Sequence, residues 1–385
     1  MIQERLKALR AEMEKRGITV YVVPTADFHE SEYVGDHFKA RKFITGFTGS
    51  AGTAVITLDE AGLWTDGRYF VQAENQLKDS TVTLYRMGEE GVPTVDEFVK
   101  DRLKEGGCLG FDGRVVNGTW GGRLEKIAAE KNVSMHVTED LIDLIWEDRP
   151  ALSKQPLFIL EEKYSGKSTA DKIADLRKAM KENGADVHIL TSLYDIAWLL
   201  NIRGNDIDYV PVVLSYLVLN ETECIWFLQE EVVDDKIRAY LEENHITTKP
   251  YDAIYDYVPE IPADAVVLMN RGTVNYRIVN SLDKAIKVVD KPNPTELMKA
   301  VKNKTEVDNT RAAHVKDGVA FTKFMYWLKT NIGKIPMTEI SASDYLEARR
   351  REQDNFIELS FNTICAYGAN AAMMHYAATP ESDAE

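Results

Sequence analysis

The sequence predicts an α/β protein in which one unit occurs twice, followed by a shorter third segment of mainly helical character. Three observations carry this. A plan of helix, buried strand, helix, glycine turn and hairpin appears twice, offset by roughly 160 residues. Two proline-containing stretches poor in apolar residues, 146–156 and 290–294, mark boundaries. Beyond the second, the pattern changes to long helical periodicity. The expected division is 1–150, 156–290 and 294–385.

The elements follow in order. Leu6, Leu9 and Met13 recur at helical spacing over 2–16, and Gly17 supplies the stop. Ile18-Thr-Val-Tyr-Val-Val-Pro24 reads as a buried strand closed by proline. A glycine-punctuated run, 43–57, enters a second strand at Thr53. Asp59-Glu-Ala-Gly62 is a tight turn, and 63–70 leads into another helix. The second copy starts with a helix around 172–182 ending at Gly184, then a strand from Val187. An apolar helix over 193–200, a glycine turn at 201–205 and strands over 211–219 and 224–228 complete it.

A helix start is expected at Thr295, with Glu296 in its first turn. Helical periodicity then runs over 296–330, and a further helix starts near Ile340 with Ser341 or Ser343 as its cap. Leu359-Ser-Phe-Asn-Thr-Ile-Cys-Ala366 reads as a strand. A third unit of this size is thin for a domain that must close its own core, so it is expected to be the incomplete start of one.

Composition narrows the function. A length of 385 residues suits two or three domains, and 44% hydrophobic with 28% charged residues is globular composition. A net charge of −16 argues against a nucleic-acid partner, because phosphate binding needs clustered Lys and Arg. No apolar run approaches the roughly 20 residues of a membrane helix, and the charged N-terminus is unlike a secretory signal. No membrane partner and a cytoplasmic location are therefore expected. Cys108, Cys224 and Cys365 have no metal-ligand spacing and read as small buried hydrophobes.

Catalytic signals are few. There is no Gly-x-Ser-x-Gly, phosphate loop, His-Glu-x-x-His or paired Cys-x-x-Cys. Gly46, Gly49 and Gly52 precede a strand rather than a helix, which favours turns and packing over anion binding. No two of the seven histidines share helical metal-ligand spacing. His188 and His314 lie within regular elements and read as structural. His375 follows the small-residue approach Gly368-Ala-Asn-Ala-Ala-Met-Met, which leaves room for a ligand. Arg68, in Trp64-Thr-Asp-Gly-Arg-Tyr-Phe70, is the other candidate, as a clamp on a substrate carboxylate or carbonyl. Pairing with Asp66 is its bland alternative.

Several segments carry a family resemblance. Pro24-Thr-Ala-Asp-Phe-His-Glu-Ser-Glu-Tyr33, Thr45-Gly-Phe-Thr-Gly-Ser-Ala-Gly-Thr-Ala54 and Trp64–Phe70 resemble the first domain of three-domain aminopeptidase P, the Xaa-Pro aminopeptidases. Asp195-Ile-Ala-Trp-Leu-Leu-Asn-Ile-Arg-Gly204 resembles the second. Ala300-Val-Lys-Asn303, His314-Val-Lys-Asp317 and Met374-His-Tyr-Ala377 resemble the start of the third, the pita-bread catalytic domain. The resemblance implies two creatinase-N-terminal-like α/β domains in tandem, then the incomplete start of the pita-bread domain. It implies removal of the N-terminal residue from short peptides with proline second. Two divalent metal ions, commonly Mn2+, would activate water in the full-length protein, and a homodimer is implied when full length.

The family's metal ligands lie downstream of the His-Tyr-Ala motif. The chain is thus expected to stop before them, to hold no metal and to be inactive by itself. His375 matches a substrate-contacting histidine near the metal centre, and Arg68 an arginine of the first domain that reaches the substrate. The usual His-Tyr-Ala-Pro reads His375-Tyr-Ala-Ala378 here. The alternatives are a prolidase or creatinase-type hydrolase, and a non-catalytic pita-bread relative that binds peptides or proteins. Five intact metal ligands downstream would favour the peptidase.

Overall fold

The computed structural model describes residues 2–385, which separate into two compact units. The first comprises Met1–Leu160, Lys167–Ile207 and Pro211–Ala300; the second comprises Glu161–Gly166, Asp208–Val210 and Val301–Glu385.

The first unit holds two six-stranded sheets. One is built from β1 (Val20–Pro24), β2 (Thr53–Thr57), β3 (Ala61–Thr65), β4 (Thr83–Arg86), β5 (Cys108–Phe111) and β6 (Ser134–His136), in the order β4-β3-β2-β1-β5-β6. After β7 (Phe158–Ile159) come β8 (Val187–Leu190), β9 (Ile202–Arg203), β10 (Ser215–Leu219), β11 (Cys224–Leu228), β12 (Thr247–Pro250), β13 (Val266–Met269) and β14 (Lys287–Asp290). The second sheet runs β12-β11-β10-β8-β13-β14, while β7 and β9 pair by themselves. The pairings correspond step for step. Each sheet has two antiparallel pairs beside its first strand, β1–β2–β3 and β8–β10–β11, and parallel pairs elsewhere. The repeated plan of the sequence is a repeated topology.

The period-2 geometry of a strand explains the cores. Tyr21 and Val23 of β1 pack with Leu6, Leu9 and Met13 of helix α1 (Ile2–Lys15), while Val20 and Val22 face Trp64, Phe98, Leu109 and Phe111 on the other side. Leu6, Leu9 and Met13 are fully buried, and burial of each contributes roughly 1.5–3 kcal/mol. In the second copy, Ile173, Leu176 and Met180 of α2 (Thr169–Glu182) cover Leu190, Leu217, Trp226 and Leu268. That helix starts three residues before the expected 172, because Ser168 accepts from the Asp171 amide and caps it.

The two copies are joined by backbone as well as side chains. Gly118 N–H donates to Val274 O (2.8 Å), Tyr276 N–H to Val116 O (2.7 Å) and Arg277 N–H to Gly113 O (2.9 Å). His29 sits buried between them, its ring nitrogens 3.0 Å from Thr191 O and 2.6 Å from the Tyr251 hydroxyl. A carbonyl only accepts, so Nδ1 carries the proton and Tyr251 donates to Nε2.

Four sequence expectations are corrected. The strand expected over 211–219 is regular only from Ser215, since Pro211 has no N–H to give a ladder. The helical run 296–330 divides into α3 (Pro294–Ala300) and α4 (Lys304–Asn331). Asn303 and Glu306 form a reciprocal capping box there, and the cap conformation interrupts the helix. The next helix, α5 (Glu339–Arg351), is capped by Thr338, with Ser341 returning the bond from its third position. The strand expected over 359–366 is irregular: no described segment pairs with it, and an extended chain without a partner forms no sheet.

In the second unit α4 and α5 pack through Trp327 and Tyr345, whose stacked rings lie 3.9 Å apart. Asn303 also donates to Ser165 O (2.8 Å) and Asn309 to Lys163 O (3.0 Å), so the Glu161–Gly166 turn is tied to α4. Val315, Val319, Phe321 and Tyr326 of α4 remain exposed.

Candidate functional site

In the first unit, the glycine run forms a loop held from inside by Arg41, a residue the sequence did not single out. Its guanidinium donates to Thr25 Oγ1 (2.9 Å) and to the carbonyls of Phe47 and Gly49. Burial without a carboxylate partner lowers its pKa to about 10, so it stays charged at neutral pH. The glycines are there for packing: a Cβ on Gly49 would sit 2.2 Å from the Phe47 ring, and one on Gly52 2.9 Å from Trp64 O. β2 follows directly, as the sequence indicated. In sequence Arg41 is masked by its neighbours Lys39 and Lys42, so its burial is not visible there.

That loop reaches the Arg68 segment through Ser50, whose hydroxyl is 2.5 Å from Tyr69 OH. Arg68 forks onto Asp66, Nε to Oδ1 and Nη2 to Oδ2 both at 2.8 Å, and lies over the Tyr69 ring at 5.2 Å. The fork lowers the Asp66 pKa and raises that of Arg68. The bland partner is therefore present, yet the Arg68 side chain is 47% exposed. A fork this exposed can re-form on a planar carboxylate or carbonyl supplied from solvent.

His375 belongs to the second unit and is exposed, with φ +41. It follows the short turn Gly368–Ala372 and precedes Tyr376, which is 7% exposed. The Tyr376 hydroxyl donates to Glu339 Oε2 (2.7 Å) and contacts Ser382 Oγ (2.9 Å). Arg68 and His375 thus lie in different compact units, each positioned by its own surroundings. Glu339 escaped the sequence reading because an acid in the first turn of a helix reads as a dipole partner.

The second-domain motif proves structural. Asp195 is buried and binds Lys299 Nζ (2.6 Å) and Asn293 Nδ2 (3.3 Å). Asn201, in the left-handed conformation at φ 50, accepts from the buried Lys172 Nζ (2.7 Å) and closes the helix Leu193–Leu200. His188 is buried with Nδ1 2.9 Å from Leu268 O, and His314 bonds Thr310 O of its own helix. Cys108 and Cys224 are buried but Cys365 is only half-buried, which corrects the reading of all three as core residues; burial pushes the Cys224 thiol up to about 12. Among the described residues no three His, Cys, Asp or Glu side chains are grouped to hold a metal ion. These residues do not fit a metal centre. No helix of the described chain is long and apolar enough to cross a membrane.

Comparison with known proteins agrees with the fold. Residues 5–145 and 148–306 each match a family described as Creatinase/Prolidase N-terminal domain, and 308–384 match Metallopeptidase family M24. A Sordaria macrospora protein named "Probable Xaa-Pro aminopeptidase P" is 39% identical, covering 97% of this chain and 63% of its own length. A Neurospora crassa protein of the same name is 38% identical, covering 97% and 56%. The chain therefore spans about three-fifths of the length of these relatives. A solved X-prolyl aminopeptidase from Caenorhabditis elegans, described as a cytosolic enzyme with a di-nuclear active site, matches with TM-score 0.94 at 32% identity, over 99% of this chain and 65% of that one. The chain thus consists of two creatinase/prolidase N-terminal domains followed by the start of an M24 metallopeptidase domain, and over nearly its whole length it resembles proteins named Xaa-Pro aminopeptidase P.

Proposed function

We propose that the protein is an Xaa-Pro aminopeptidase, releasing the N-terminal residue of short peptides with proline second. The observation that carries this is the 37–39% identity, over 97% of the chain, to proteins named for that activity. We place Arg68 and His375 at the substrate. Arg68 would exchange its Asp66 fork for a peptide carbonyl or carboxylate, and His375 would offer an imidazole on an exposed turn. Proline makes the scissile bond a tertiary amide with a fixed φ, so a pocket shaped to the ring selects for it.

Family M24 and the di-nuclear neighbour support two divalent metal ions in a complete M24 domain, and manganese is our choice of metal. When bound, such a pair supplies an activated water and charge stabilisation at the carbonyl. The 385 residues taken alone are proposed to be inactive, and a homodimer in the cytoplasm is proposed for the full-length form. A division at 1–150, 156–290 and 294–385 completes the reading.

The test is hydrolysis of a short Xaa-Pro peptide with added Mn2+, by this chain and by a full-length form with a complete M24 domain. Activity in the full-length form alone is expected, with Arg68→Ala and His375→Ala each lowering kcat/KM by about tenfold or more. Activity in neither would turn the reading toward a peptide-binding relative, and activity in this chain would overturn the proposed need for residues beyond it.

A further inference from the structure

Glu339 opens α5 and is 3% exposed. A carboxylate in a first helical turn ordinarily faces its own helix amides or solvent. This one accepts almost entirely from the segment that carries His375. Oε1 receives the Tyr367 N–H (2.5 Å), and Oε2 receives the Tyr376 hydroxyl (2.7 Å) and the Ala384 N–H (3.2 Å). The Asn370 amide lies within 3.2 Å of both oxygens and 2.9 Å from Tyr376 OH and Ser382 O. The backbone reinforces the contact, with Glu339 N–H donating to Ala384 O (3.0 Å) and Ile340 N–H to Asp383 Oδ1 (3.0 Å).

Tyr367, Tyr376 and Ala384 are far apart along a segment without strand pairing, yet all three end on one carboxylate. His375 is one residue from one of these anchors, the charge-assisted bond from Tyr376. Its φ of +41 lies in the left-handed region that residues with a side chain adopt uncommonly. Burial works against charge on Glu339, but the bonds from Tyr376, Tyr367, Ala384 and Asn370 outweigh it and lower its pKa. Burial, with the bond to Glu339 adding to it, raises the pKa of the Tyr376 phenol.

We propose that Glu339 is a positioning residue for His375, fixing the turn through Tyr376 so that the imidazole meets the substrate in one orientation. The proposal rests on the reading of His375 as a substrate contact. Glu339 itself touches no substrate.

Two variants test it, Glu339→Gln and Tyr376→Phe. The first keeps the shape but turns one acceptor into a donor that faces other donors; the second removes a single bond and leaves the carboxylate its remaining partners. The first readout is the side-chain NMR spectrum of histidine-labelled 385-residue chain, which needs no activity. In both variants the His375 ring signals are expected to shift and broaden while those of buried His29 and His188 stay in place. The second readout is kinetics of the full-length form on an Xaa-Pro peptide at a temperature where each variant is fully folded, and there kcat/KM is expected to fall by about tenfold. Unmoved His375 signals, or shifted signals with unchanged kinetics, overturn the positioning role. A full-length form inactive even as wild type refutes the role in a reaction, while the spectra still decide whether Glu339 orders the turn.

Discussion

His29 shows how one buried side chain couples acidity to stability. Burial lowers its pKa to about 4, with Asp27 and the Thr191 carbonyl opposing only partly. The unfolded chain titrates near 6.5. Because the folded form disfavours the proton, stability is complete above about pH 6.5 and is lost as pH falls toward 4. One proton corresponds to about 1.4 kcal/mol per pH unit over that window, roughly 3 kcal/mol in all. Urea midpoints of wild type and His29→Gln between pH 7 and 4.5 check this: the variant should be weaker at pH 7 and lose less on acidification. Parallel losses in the two would show that the acid sensitivity lies elsewhere. At the same scale, the sequence named Arg68 and His375 through motif matching, and missed Arg41 and Glu339. Arg41 takes its importance from loop carbonyls at Phe47 and Gly49, and Glu339 from partners far along the chain at Tyr376 and Ala384; spacing reveals neither set.

The helix Gly118–Glu130 shows that an element is judged by what covers it. Gly121 and Gly122 are adjacent, and helix propensity alone would have each gain stability as alanine by about 1 kcal/mol. Their surroundings differ. A Cβ on Gly121 would lie 2.1 Å from the Tyr276 ring of the second copy, whereas nothing lies within 4 Å of one on Gly122. Gly122→Ala is expected to raise the melting temperature by a few degrees. Gly121→Ala is expected to lower it, because Tyr276, packed against Phe111 at 5.6 Å, has to move. Equal gains in both would mean that the contact between copies yields readily. Helix ends follow the same logic, since Thr338 rather than Ser341 or Ser343 starts α5. All three have the right chemistry, and only the backbone decides which occupies the cap.

The first unit has two sheets of matching topology but shares a buried seam, with the backbone bonds of 113–118 to 274–277 and His29 inserted between Thr191 and Tyr251. Separating the copies would leave these groups unpaired and desolvated, so they are expected to open together. Hydrogen exchange on the whole chain checks this. Amides of β1 and β8 should share one opening free energy, and a clear difference between them would make the copies independent folding units. The amino-acid sequence by itself indicated the α/β class and the duplication, because hydrophobic period and glycine and proline placement are written in contiguous residues, and its local motifs carried the resemblance to aminopeptidase P. It also located β1, β2, β11 and α1 closely. Only the tertiary structure decided where 296–330 breaks, that 359–366 forms no strand, that Asp66 occupies Arg68 and that Glu339 gathers the His375 turn. The unpaired 359–366 segment and the Glu339 turn depend on distant partners that only the folded chain selects, while the break at Asn303 and the Asp66 fork join near neighbours for which the sequence left more than one conformation or partner open.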